Sequence, residues 1–117
     1  MNKIAICSEG PGLEDLLDPR FGRAAGFIII DPDSMLFEYV DNGASQAASQ
    51  GAGIQAAEMV ARTGVKAVLT GFVGPKAFKV LQAADIKIGQ NLENMTVRHA
   101  LERYQNGQVE WATQPNR

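Results

Sequence analysis

A β-branched run, Gly-Phe-Ile-Ile-Ile-Asp at Gly26–Asp31, passes straight into Asp31-Pro32-Asp33-Ser34 and then into the alternating stretch Leu36–Asp41. Proline sets φ in such a turn, and the acidic and hydroxyl side chains bond the local backbone. Two proline-free strands joined in this way form an antiparallel hairpin, which fixes the frame for the remaining elements. Before it, Lys3–Ser8 is a short apolar run ended by Glu9-Gly10-Pro11-Gly12, the pattern of a buried strand. After it, strand and helix signals alternate.

Gly51–Thr63 has helical period, with Gln55, Glu58 and Arg62 on one wet stripe and Ile54, Ala57, Val60 and Ala61 facing inward. Gly64 is its C-terminal glycine. Ala67–Thr70 is a short buried strand. Gly71-Phe72-Val73-Gly74 is a turn, and Pro75 opens a helix to about Ala84, at a position where its missing N–H costs nothing. Lys87–Gly89 reads as an edge strand. Thr96–Asn106 is the last helix, with Val97, Ala100, Leu101 and Tyr104 as its apolar stripe. Between hairpin and first helix, Asn42–Gln50 is small and polar, has nothing to bury, and is expected to be a mobile loop. The order β-β-β-α-β-α-β-α with right-handed crossovers gives a five-stranded mixed sheet with helices on both faces, a ribonuclease-H-like α/β arrangement. One domain over residues 1–107 is expected, with a loose tail at 108–117 that has only Val109 and Trp111 to dock.

Strands one, three, four and five then end at one edge, where open α/β sheets bind ligands. Leu17–Arg23, Gly51–Gly53, Gly71–Lys76 and Asn91–Thr96 converge there. Glycines admit close backbone approach, helix N-termini carry partial positive charge, and Arg20, Arg23 and Lys76 add full charges. Local charge agrees: residues 1–50 hold 3 basic and 8 acidic residues, whereas residues 51–82 hold 4 basic and 1 acidic. The expectation is an anion site. The alternative is that the glycines serve only turns and caps.

Sharper chemistries fail on spacing. Gly71–Ala77 is too short for a P-loop and has no Ser/Thr after its lysine. Gly51-Ala52-Gly53-Ile54-Gln55-Ala56 does not follow a strand directly, and Gly71 stands where a dinucleotide site has its acid. A phosphatase arginine six residues after Cys7 is missing, because that position is Leu13. Strand one offers Ile4, Ala5, Ile6 and Cys7, none of which holds a nuclease metal. No catalytic constellation is left. Cys7 is the one cysteine and His99 the one histidine, so the four ligands of a zinc or ordinary iron–sulfur site are lacking. Cys7 reads as a small buried hydrophobe, with ligand contact the alternative, and His99 as a solvated surface residue. Any metal must bring most of its own ligands or share them between chains. The net charge of −2 argues against nucleic acid. No apolar run reaches the roughly 18–20 residues of a membrane span, and the N-terminus lacks a signal-peptide pattern, which points to the cytoplasm.

Three segments in order, Asp18-Pro19-Arg20-Phe21-Gly22-Arg23-Ala24, Gly51-Ala52-Gly53-Ile54-Gln55-Ala56-Ala57 and Thr70-Gly71-Phe72-Val73-Gly74-Pro75-Lys76-Ala77-Phe78, resemble the dinitrogenase iron–molybdenum cofactor-binding family. The resemblance runs from Lys3 to about Tyr104. It is nearest to the family's stand-alone branch, the orange proteins of sulfate-reducing bacteria. It implies a ribonuclease-H-like fold, no enzymatic activity, and non-covalent binding of an anionic metal–sulfur cluster, of molybdenum–copper–sulfide or related molybdenum/iron–sulfur type. The implied contacts are Arg20, Phe21, Gly22, Arg23, Gly51, Ala52, Gly53, Gly71, Gly74, Pro75 and Lys76. Where cofactor-ligating nitrogenase members have a histidine before Phe-Gly, this chain has Arg20, so charge pairing takes the place of ligation. Accessory proteins or a partner ATPase are implied as partners, with the chain a monomer or weak dimer. Two other readings stay open: an interaction module acting with that ATPase, and a small phosphate or nucleotide binder.

Overall fold

Every residue of β1 (Ile4–Ser8) and of β2 (Gly26–Ile30) is buried, and successive side chains pass to opposite faces of the sheet. Ile4 and Ile6 of β1 join Ile28 and Ile30 of β2 in one core, and Ala5 and Cys7 join Phe27 and Ile29 in the other. A strand flanked on both faces needs an unbroken apolar run, which both strands have. Residues 2–48 and 50–117 are described by the computed structural model. Among them the order is β1, β2, β3 (Phe37–Asp41), α1 (Gly43–Gln46), α2 (Ala52–Arg62), β4 (Ala67–Leu69), α3 (Pro75–Ala83), β5 (Lys87–Gly89) and α4 (Val97–Gln105).

The sheet order is β3-β2-β1-β4-β5, as the sequence predicts. β1 pairs antiparallel with β2 and parallel with β4; β2 pairs antiparallel with β3, and β4 parallel with β5. Helices α2 and α3 cover one face through Ala56, Ala57, Val60, Ala77, Phe78 and Leu81. Helix α4 covers the other through Val97, Ala100 and Leu101. Each of the large aliphatic side chains here contributes about 1.5–3 kcal/mol on burial. Among the described residues no helix is long and apolar enough to cross a membrane.

Two segments differ from expectation. The stretch after β3 is expected to have nothing to bury, yet Asn42 and Ser45 are buried, Asn42 as the N-cap of the one-turn helix α1 and Ser45 within it. The Asn42 amide donates to the Ala24 carbonyl at 2.9 Å and the Gly22 carbonyl at 3.4 Å, and its N–H donates to the Ala25 carbonyl at 2.9 Å. The Ser45 hydroxyl donates to the Gln55 side-chain oxygen at 3.2 Å. Short polar side chains are buried here because the Gly22–Ala25 backbone and Gln55 supply acceptors. Ser49, within the same expectation, lies outside the described residues. The tail also has contacts beyond its two apolar anchors. Trp111 bridges antiparallel to Gly89, and the Ala112 N–H donates to the Ile88 carbonyl at 2.8 Å. The cause is β5 itself, a three-residue edge strand whose outer backbone groups would otherwise lack partners.

The hairpin turn forms as its composition dictates. The Asp31 carboxylate accepts the Asp33 N–H at 2.9 Å and the Ser34 N–H at 3.4 Å, and Met35 completes the turn at φ 66°. The Asp33 N–H, first among these contacts, holds the Asp31 carboxyl below its ordinary pKa. A folded value below the unfolded one stabilises the turn above the ordinary carboxylate range, and this contribution is lost as pH falls through the lowered value. The stability gap between the unsubstituted protein and Asp31→Asn should therefore narrow between about pH 6 and pH 3 in urea titrations. A gap independent of pH would show that the carboxylate does not hold the turn.

Candidate functional site

The carboxyl edge of the sheet is closed by a collar of backbone hydrogen bonds between loops. Phe72 N–H donates to the Pro19 carbonyl at 2.8 Å and Phe21 N–H to the Phe72 carbonyl at 3.3 Å, joining the β1–β2 loop to the β4–α3 loop. Asn91 N–H donates to the Gly71 carbonyl at 2.7 Å, and Leu17 N–H to the Met95 carbonyl at 2.9 Å, bringing in the β5–α4 loop. Gly22 meets the start of α2: a Cβ built on it would stand 2.8 Å from the Gly53 Cα. The segments that the sequence reading placed at this edge are therefore in contact.

At the centre of the collar lies Asp18, 1% exposed. Its carboxylate accepts the backbone N–H of Arg20 at 3.1 Å and of Ala25 at 3.2 Å, and the Arg20 Nε and Nη2 each at 3.2 Å. A buried carboxylate is stable only with partners of this kind. In return, the hydrogen bonds that Arg20 donates to Asp18 raise its guanidinium above its ordinary pKa. Arg20 is half exposed at 54%, but its charge is paired. Arg23 is exposed, and its Nη1 donates to the Gln46 carbonyl at 3.1 Å and the Ala48 carbonyl at 2.7 Å. Both arginines hold loop backbone at this edge of the sheet. In the sequence the only sign of this role is an acid two residues before an arginine, Asp18 and Arg20.

The three long helices differ at their N-termini, although the sequence reading treated them alike. In α4 the donors are committed: Val97 N–H to the Asp15 carbonyl at 2.9 Å, Arg98 N–H to Leu13 at 2.8 Å, and His99 N–H to the Thr96 hydroxyl at 3.1 Å. Helices α2 and α3 have no side-chain cap. Gly51 precedes α2 at φ 75°, a left-handed conformation that glycine adopts at no steric cost, and Gly74 precedes α3 with Pro75 next. The first donors returning into these helices are Gln55 to Gly51 and Phe78 to Gly74, both at 3.0 Å. Among the described residues, the N–H groups of Ala52, Gly53, Ile54, Lys76 and Ala77 have no protein acceptor. Lys76 is exposed at the same end and forms no ion pair among the described residues.

The other expected contacts are arranged as follows. Phe21 is 1% exposed and packs on Phe27 with ring centroids 5.6 Å apart, so it supports the crevice from below. Ala52 and Gly71 are buried, and Gly22, Gly53 and Gly74 are partly open. Cys7 is fully buried beneath, and burial pushes its thiol far above the ordinary range. His99 is exposed on α4. No group of three or more His, Cys, Asp or Glu able to hold a metal ion exists among the described residues. A concavity of about 560 Å³, lined by Asn2, Lys66, Tyr104, Gln105 and Trp111 among others, lies at the opposite edge. The sequence reading missed Asn116, whose amide reaches the Val73 N–H at 2.9 Å, and Arg117, whose guanidinium lies 4.3 Å from the Phe72 ring centroid.

Removing the Asp18 carboxylate leaves the Arg20 and Ala25 N–H groups without their acceptor. Asp18→Ala should cost about 2–4 kcal/mol in urea unfolding; a loss below about 0.5 kcal/mol, the level of an ordinary surface substitution, would remove Asp18 from the centre of the collar. The Cys7 thiol should resist alkylation in the folded chain and react only on unfolding. Stoichiometric labelling under native conditions would contradict the burial described.

Comparison with known proteins follows the same architecture. The sequence profile described as dinitrogenase iron-molybdenum cofactor matches residues 2–107. No curated protein matches. Among solved structures, the apo form of the orange protein from Desulfovibrio gigas is 59% identical with a TM-score of 0.97, over 100% of this chain and 98% of that one. A putative NifB protein from Thermotoga is 33% identical with a TM-score of 0.85, again over 100% and 98%. By profile, by sequence and by fold, the chain belongs to the dinitrogenase iron–molybdenum cofactor family.

Proposed function

We propose that this chain binds and carries an anionic metal–sulfur cluster in the crevice at the carboxyl edge of the sheet, without catalysing a reaction. The observation that supports this most is the pair of uncapped helix N-termini at α2 and α3, whose free N–H groups share one edge. The family's description, which refers to an iron–molybdenum cofactor, and the relative solved as an apo form support a metal-containing cargo. The donor set fits a cluster that supplies its own sulfide. The crevice offers N–H groups and cations; the single thiol is buried and no metal-binding group of side chains is found among the described residues. A molybdenum–copper–sulfide anion meets that requirement, because its outer sulfides accept hydrogen bonds and its charge is offset by helix dipoles.

In this reading the direct contacts are the N–H groups of the turns beginning at Gly51, Ala52 and Gly53 and at Gly74, Pro75 and Lys76, Pro75 contributing only its fixed φ. Lys76 supplies a full charge. Arg23 adds positive potential at the rim, Arg20, compensated by Asp18, holds the loop, and Phe21, Gly22 and Gly71 set the floor. One charged group at a helix terminus contributes about 0.3–1 kcal/mol, so retention depends on several N–H groups acting together.

Anaerobic incubation with tetrathiomolybdate and copper(I), followed by amide exchange, tests the placement. Exchange at Gly51–Gln55 should slow on uptake, and the Asp31–Ser34 turn at the opposite edge should not change. Protection at the turn with none at the glycines would put the site elsewhere. Cys7→Ser should still take up metal with at most a modest loss. Complete loss in a folded variant would mean direct coordination by the thiol.

A further inference from the structure

The residues that follow α4 return to the crevice. Asn116 is exposed, yet its amide is fully engaged: Oδ1 accepts the Val73 N–H at 2.9 Å, and Nδ2 donates to the Gly71 carbonyl and to Asn91 Oδ1, each at 3.0 Å. Its backbone N–H donates to Gln90 Oε1 at 3.3 Å, and Gln90 Nε2 donates to the Gln114 carbonyl at 3.2 Å. A strap, Trp111–Arg117, is thus fastened at the β5 edge by Trp111 and Ala112 and at the β4–α3 loop by Asn116. The next residue, Arg117, lies over the ring of Phe72, whose backbone is paired with the Pro19–Phe21 segment.

Charge gives this placement its meaning. Arg20 is paired with Asp18, and Arg23 is spent on two carbonyls. Among the described residues Arg23, Lys76 and Arg117 at this edge have no ion pair, and of these only Arg23 has its side chain hydrogen-bonded to carbonyls. The ring of Phe72 is partly buried and carries no opposite charge, so the guanidinium on it keeps its full charge for a neighbouring anion. We propose that the strap is part of the anion site, with Arg117 as a ligand-facing cation and Asn116 as the residue that positions it. This rests on the cargo reading above and extends it to residues beyond the 2–107 span that the family profile matches.

The test is titration of the full chain with tetrathiomolybdate at several salt concentrations, with the fluorescence of Trp111, the chain's one tryptophan, reporting strap docking. Arg117→Ala should leave the fluorescence unchanged, weaken binding about two- to fivefold and make its salt dependence shallower. Arg117→Lys should restore most of the salt dependence, since charge is retained. Asn116→Ala should shift the fluorescence and weaken binding to a similar degree. Unchanged affinity and salt dependence in Arg117→Ala, with the strap docked, would overturn the proposal. Tighter binding in either alanine variant would also overturn it, because the strap would then be an obstruction. No tetrathiomolybdate binding by the unsubstituted chain would overturn the cargo reading, and the strap's role with it.

Discussion

The crevice depends on a carboxylate turned inward. Asp18 lies in the β1–β2 loop, its N–H bonded to the Cys7 carbonyl of β1 at 3.0 Å, and its oxygens gather Arg20 and Ala25 around them. It acts on the Pro19–Ala25 loop from within, whereas Asn42 holds the Gly22, Ala24 and Ala25 carbonyls from outside. The loop makes no regular ladder of its own; its pairing with Phe72 is only two hydrogen bonds long. Once held, it brings Gly22 against Gly53 and so fixes where α2 begins relative to the β1–β2 loop. A buried charge with this many donors contributes more to uniqueness of geometry than its modest net stabilisation suggests.

This arrangement changes the electrostatic character of the site. Counting positive residues suggests a cluster of free cations at the crevice. In the folded chain one arginine is compensated by Asp18 and another is bonded to main-chain carbonyls, so the proposed anion site relies on backbone donors. Peptide N–H groups at helix ends are fixed in direction, need no reorientation on binding, and remain donors at any pH the fold tolerates. Helix α4, although it begins at the same edge, contributes none, because Leu13, Asp15 and Thr96 have taken its donors.

Much of the fold was legible in the sequence because its signals are local. The Asp31–Ser34 turn, Pro75 at the first position of α3 and the Lys87–Gly89 strand each state their own conformation, and right-handed crossover supplied the strand order. What was not legible depends on groups distant along the chain. Asn42 and Ser45 look like loop residues until the Ala24 carbonyl and Gln55 are seen beside them. The spacing of Asp18 and Arg20 is plain, but nothing in it says that the acid points inward and takes the arginine's charge. The path of Trp111–Asn116 follows from the open edge of β5, a property of the assembled sheet and not of the tail. The convergence of the glycine segments was foreseeable from topology; the unequal state of the helix N-termini was not.

The close approach of Gly22 to Gly53 has a consequence for how such a chain tolerates change over generations. A cradle built from peptide groups is specified by where side chains are missing, and many residues around it can drift without altering its donors. In the proposed reading, recognition rests on the charge, radius and acceptor spacing of the guest, not on matching one ligand atom to one side chain. One scaffold of this kind could serve related inorganic anions of similar size, with exposed residues such as Lys76 deciding among them.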